Sequence, residues 1–143
     1  MNTTAAIFAR LGSDLSIIER LDLYQDQPAI FNDSAPDDFT FGALVAVIIA
    51  APASDNPDDT FTEDGRSISQ DVRLYARHTG STAEIDQLAR DVRDLFHQQP
   101  DTLAAPGATF ITAIATGPVA SPTTDPSLVG RRITLRFELQ RDT

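Results

Sequence analysis

The stretch SISQDVRLYARHTGSTAEIDQLARDVRDLFH, residues 67–97, changes its hydrophobic period partway along. Up to Arg77, the residues Ile68, Gln70, Val72, Leu74 and Ala76 alternate with Ser69, Asp71, Arg73, Tyr75 and Arg77. That period of two belongs to a half-buried strand, with one set of side chains on a core and the other facing away. From Ser81 onward, Ile85, Leu88, Ala89, Val92, Leu95 and Phe96 recur at spacings of three and four, which is one apolar stripe on a helix. Ser81 and Glu84 have the spacing of a capping box, and Pro100 lies just beyond the helix end. A strand feeding directly into a helix is the unit around which the remaining segments are placed.

Before it, FGALVAVIIAAPAS holds a nearly continuous apolar run, Leu44 to Ala51, ended by Pro52. Its length and β-branched content predict a strand covered on both faces. The segment DNPDDTFTEDGR, residues 55–66, joins the two strands, so they read as the legs of a long antiparallel hairpin with an acidic tip. At the N-terminus, TTAAIFARLGSDLSIIERL places Ile7, Phe8, Leu11, Leu15 and Ile18 on one helical stripe, with Gly12, Ser13 and Asp14 stopping one helix and capping a second. A loop with a short strand near Ala29 to Asn32 follows. After the second helical segment, ATFITAIATGP predicts a strand from about residue 108 to 116, residues 117–130 a Pro-rich loop, and RRITLRFELQR a closing strand. That strand sets Ile133, Leu135, Phe137 and Leu139 against Arg132, Thr134, Arg136, Glu138 and Gln140. The expectation is one α+β domain over residues 1–143, with a mostly antiparallel sheet of four to five strands, helices on one face and a long hairpin arm.

Composition narrows the function classes. The chain has 143 residues and a formal charge of -10; all eleven basic residues are Arg, and Asp outnumbers Glu by 17 to 4. Such a chain repels a phosphate backbone instead of gaining from counterion release, which argues against sequence-specific nucleic-acid binding. The absence of Cys excludes disulfides, thiolate metal sites and Cys nucleophiles. No apolar run has the length of a bilayer span and the N-terminus lacks a signal-peptide pattern, so the expectation is a soluble chain made in the cytoplasm and without a membrane partner.

Catalytic patterns are missing as well. The two histidines, His78 and His97, form neither HExxH nor HxH, and His97 reads as a dipole partner at a helix C-terminus or as plainly exposed. There is no GxSxG, no GxGxxG and, without Lys, no complete phosphate loop. The expectation is a non-enzyme with no cofactor. In the acidic segment Asp58, Asp59, Glu63 and Asp64 invite a calcium reading, but an EF-hand register started at Asp59 puts Phe61 on a ligand position. No metal site is assigned. A solvated tip, a weak non-EF cation site and an arm that orders against a neighbouring subunit, with Phe61 as its apolar contact, all fit the residues. A second pattern lies on the outward strand faces, where Arg73, Tyr75 and Arg77 on one strand accompany Arg132, Arg136 and, at the strand end, Arg141 on the last. These are either ordinary solvated surface or a subunit interface that the acidic arm of the next copy would complete.

The order of elements resembles that of the tail-terminator, or tail-completion, proteins of long-tailed bacteriophages and gene transfer agents. The resemblance is carried by IFARLGSDLSIIERL, IFNDSAPDDF, LVAVIIA, SISQDVRLYARHTGS, TAEIDQLARDVRDLFH and RRITLRFELQ, and residues 67–97 are its most specific part. It implies a structural virion protein of the tail neck that forms a ring, expected as a hexamer, on the last ring of the tail tube. Such a ring stops tube polymerisation and presents its other face to the head-side connector or stopper, while DNA passes through without specific binding. Another neck or tube component, such as a head-tail connector or tail-tube subunit, and a small cytoplasmic ligand- or cation-binding domain are the alternatives.

Overall fold

A computed structural model describes residues 2–57 and 65–142. Chain order is α1 (Thr3–Gly12), α2 (Leu15–Ile18), β1 (Leu23–Tyr24), β2 (Gln27–Pro28), β3 (Ile30–Asn32), β4 (Ala46–Ile49), β5 (Ser54–Pro57), β6 (Gly65–Arg77), α3 (Ala83–Phe96), a 3-10 turn at Pro100–Thr102, β7 (Ala108–Ala120) and β8 (Leu128–Arg141). Among the described residues the main sheet has six strands, not four to five, in the order β3-β4-β6-β8-β7 with β5 also paired to β6. The additional strand arises because the first hairpin leg is broken in two. β4 pairs with residues 72–75 of β6 and β5 with residues 66–69, and Pro52, which has no amide hydrogen to donate, lies in the gap between them. Among the described strands all pairings are antiparallel except β3 with β4, and a single parallel bridge joins Leu21 to Val45.

Period-two burial sorts the sheet into two faces. Ile68, Val72, Leu74 and Ala76 of β6 and Ile133, Leu135, Phe137 and Leu139 of β8 share one core with Ile7 and Leu11 of α1 and with the α3 stripe. All six stripe residues of α3 are buried. Each apolar side chain taken fully from water contributes about 1.5–3 kcal/mol, so the α3 stripe is a large stabilising element. β4 is buried on both sides: Val47 and Ile49 join the main core, whereas Ala46 and Ile48 meet a second, smaller cluster. Phe31, Phe39, Phe41, Tyr24 and Tyr75 build that cluster, with edge-on ring contacts from 5.0 to 6.1 Å.

Several sequence expectations are corrected. Phe8 and Leu15 are 47% and 75% exposed: α1 buries the face of Thr3, Ala6, Ile7 and Leu11 and leaves Phe8 off it, and the turn after Gly12 restarts the helix so that Ile17 reaches the core instead of Leu15. Asp14 caps that second helix as read, accepting from the Ile17 amide at 3.1 Å. The Ser81 and Glu84 capping box does not form: Thr82 holds the N-cap position and gives its hydroxyl hydrogen to Asp86. Residues 117–120 and 128–130, read as loop, extend β7 and β8. His97 is neither plainly exposed nor unengaged: its Nδ1 accepts a hydrogen bond from the Ala115 amide at 3.1 Å, which fixes the ring against β7. With the Gln98 amide donating to Ala113 and Arg93 to the Gly117 carbonyl, the end of α3 occupies the outer edge of β7 and blocks strand addition there.

Two polar contacts tie the layers together. Gln70, fully buried in β6, accepts from the Thr3 hydroxyl at 2.7 Å and donates to Thr4 at 2.6 Å and to the Ala50 carbonyl at 2.8 Å. This joins the first turn of α1 to the hairpin stem. Replacing Gln70 by Leu removes these bonds and strands the Thr3 hydroxyl, with an expected loss of about 1–3 kcal/mol in urea unfolding. Arg131, on the helix side of β8, donates to Asp86 of α3, and that bond chiefly holds the Asp86 carboxyl below its ordinary 3.8. A lowered carboxylate pKa adds stability that is present above pH 3.8 and lost as the pH falls through the depressed value. Thermal melts of Asp86→Asn should therefore lie below the native protein at neutral pH, with the gap closing in acid below pH 3.8. A gap that stays constant into acid contradicts the assignment.

Candidate functional site

The face of β6, β8 and β7 turned away from the helices holds the arginines singled out from the sequence. The register sets them in rows: Arg73 lies opposite Arg132, Asp71 opposite Thr134, Ser69 opposite Arg136, and Tyr75 opposite Gly130. On the far side of β8, Val119 lies opposite Arg132, and Ile114 opposite Arg136. Ile114 and Val119 are 38% and 48% exposed. The surface thus alternates guanidinium and aliphatic groups across three strands, a mixture suited to a protein contact.

Electrostatics within the face are incompletely balanced. Arg73 reaches Asp71 only at 3.8 Å, and Asp71 also accepts from the Thr134 hydroxyl at 2.8 Å. Among the described residues no carboxylate forms an ion pair with Arg132 or Arg136, and the buried Nε of Arg132 has no hydrogen-bond acceptor. Two like charges placed directly across a strand pair repel, so Arg73 beside Arg132 is a cost that an added anion would relieve.

The other sequence-selected residues divide differently. Tyr75 packs against Phe41, its hydroxyl lies 3.0 Å from that of Ser121, and its ring covers Gly130. Arg77 donates to the Phe41 carbonyl at 3.3 Å and faces the Ser127 hydroxyl at 3.5 Å. Both therefore contact loops of their own chain, whereas Arg132, half-buried, and Arg136, exposed, have no ion-pair partner among the described residues. Arg141 falls on the other parity of β8 and does not join them. Phe61, Asp58, Asp59, Glu63 and Asp64 lie outside the described residues. No three described acidic or histidine side chains are grouped to share a metal ion. No described helix is long and apolar enough to cross a membrane.

Sequence reading missed Ile114 and Val119 because β7 changes parity twice. Counted in twos from buried Phe110, Ile114 should point inward; a bulge between Phe110 and Thr112 turns it out. A second irregularity between Thr116 and Val119 contains Gly117, at φ 110°, where a Cβ would lie 2.8 Å from the Arg132 carbonyl oxygen. The apolar spacing in FITAIATGPV offers no mark of either shift beyond the Gly itself.

Comparison with known proteins adds three observations. A family model described as "Tail completion protein gp17" matches residues 5–139. A solved structure described as "Virion of native gene transfer agent (GTA) particle" superposes with a TM-score of 0.71 at 15% identity, covering 94% of this chain and 92% of that one. A second solved structure, also 15% identical, has a TM-score of 0.59 and covers 99% and 95% of the two chains. At such identity these two structures speak for a shared fold alone. No curated protein matches the chain.

Gly130 tests the construction of the face. A Cβ there would stand 2.6 Å from the Tyr75 ring and 2.7 Å from the Ser121 carbonyl oxygen, so Gly130→Ala must displace both. The expected cost is about 1–3 kcal/mol, as for other overpacked sites. With two tyrosines and no tryptophan in the chain, the near-ultraviolet circular dichroism should change at the same time. Unaltered stability and an unaltered spectrum would disprove the packing described.

Proposed function

Because the chain belongs to the tail completion protein gp17 family, we propose that it forms a ring on the head-proximal end of a tail tube, ends tube growth and joins the tail to the head-side connector. Membership makes it a structural protein of a phage-type virion tail. The ring, with six copies as the expected number, and the capping step are the finer reading.

The observation that carries this reading is the open face of β6, β8 and β7. One side of the sheet is covered by the helices, and the face carrying Arg73, Arg132, Arg136, Ile114 and Val119 is left without a cover of its own. In the proposed ring it is the subunit contact, with Tyr75 and Arg77 supporting it from behind and Phe61 contributing from the acidic tip. The carboxylates Asp58, Asp59, Glu63 and Asp64, within a chain of formal charge -10, suit a lumen through which DNA slides without sticking. The chemistry asked of the protein is binding and geometry alone: tube protein on one side, connector or stopper on the other.

Adding the purified protein to growing tail tubes should arrest their lengthening and leave one ring of density at one end in negative stain. Arg132→Glu with Arg136→Glu should remain folded by circular dichroism and fail to cap. Tubes that keep growing in the presence of the native protein would refute the terminator role. Stacked tubes made of the protein itself would identify it as a tube subunit instead.

A further inference from the structure

The formal charge of the chain is not spread along it. Residues 21–65 contain ten acidic residues and no basic one, so the whole charge of -10 resides there, while the rest of the chain holds eleven acids against eleven arginines. That stretch builds β1 to β5, the side of the sheet away from β8 and β7. The loop after β3 carries Asp33, Asp37 and Asp38, all exposed, and among the described residues none of them pairs with a cation. Asp38 is occupied in part, since the Tyr24 hydroxyl donates to it at 2.8 Å. Asp33 and Asp37 keep no such partner among the described side chains.

One patch therefore has unpaired anions and the other unpaired cations, in the same molecule and on different strands. Among the described residues the two patches form no ion pair with each other within the chain. We propose that the acidic loop of residues 33–38 in one copy docks on the Arg132 and Arg136 face of the next, the occupant of the face being a second copy of this chain. The contact is head to tail, since the two patches differ, and it repeats from copy to copy until the rotation closes. Ile114 and Val119 supply the apolar area beside the ion pairs. The repulsion between Arg73 and Arg132 is relieved. This inference rests on the ring reading and specifies which surfaces meet.

Charge reversal tests it. Arg132→Glu with Arg136→Glu makes the face acidic; Asp37→Arg with Ser34→Arg, both at exposed positions, and Asp33→Asn makes the loop basic, Asn being tolerant of the left-handed backbone at φ 65°. Sedimentation at low ionic strength should show the native protein self-associating, weakened by salt, and each variant alone weakened by about tenfold or more in dissociation constant. An equimolar mixture of the two variants should recover association, because each altered face then meets an altered loop and each native face a native loop. That recovery also proves both variants folded. A native protein that stays monomeric at all concentrations, variants that associate as well as the native protein, or a mixture that recovers nothing would overturn the contact. Tube capping separates this from the ring reading: a face variant that still caps tubes removes the charge contact and leaves the ring. A native protein whose mass responds to the reversals yet never caps tubes removes the ring and leaves the contact.

Discussion

Every residue of β6 from Gly65 to Arg77 is paired in antiparallel register with β8, and the rest of the fold depends on that ladder. Because side chains alternate, one register assigns Gln70, Val72 and Leu74 to the helices and Asp71, Arg73 and Tyr75 to the opposite face. A slip by one residue would exchange the two sets. The buried Gln70 opposes such a slip, since its partners, Thr3 and Thr4 of α1 and Ala50 after β4, come from two distant segments that converge on it in the observed register.

The two faces then meet different requirements. The inner face is covered by α1 and α3 and fastened at its edge by Arg93, His97 and Gln98, which use the outward backbone groups of β7. The outer face is covered at one end by the loop carrying Phe39 and Phe41 and is bare over β8 and β7. Bare area, unpaired guanidinium groups and like charges set across a strand pair are all unfavourable in an isolated subunit and favourable in a complementary contact. Membership of a tail completion family gives such a contact a setting, a virion in which the chain associates with other tail or head proteins.

Glycine and irregular strands prepare this surface. Gly130 makes room for Tyr75 to lie across β8, which in turn holds Ser121 and the turn before β8. The two irregularities of β7 present Ile114 and Val119 beside Arg136 and Arg132. Substitutions that leave the main core intact can therefore still disorganise the outer face.

The strand-to-helix unit at 67–97, the burial of its two stripes, the hairpin and the α+β class were legible in the amino-acid sequence, because period and length are local properties that burial on one face imposes directly. The arginines at 73, 132 and 136 were legible for the same reason, as the other half of the alternation. What required the tertiary structure was everything that crosses between segments. The split of the first hairpin leg into β4 and β5, the parity changes of β7, the turn of Phe8 and Leu15 to the surface and the acceptor role of His97 each depend on a partner distant in the chain. So does the distinction between Tyr75 and Arg77, engaged with their own loops, and Arg132 and Arg136, left open: identical strand periodicity places all four outward, and only the folded neighbourhood decides which have partners.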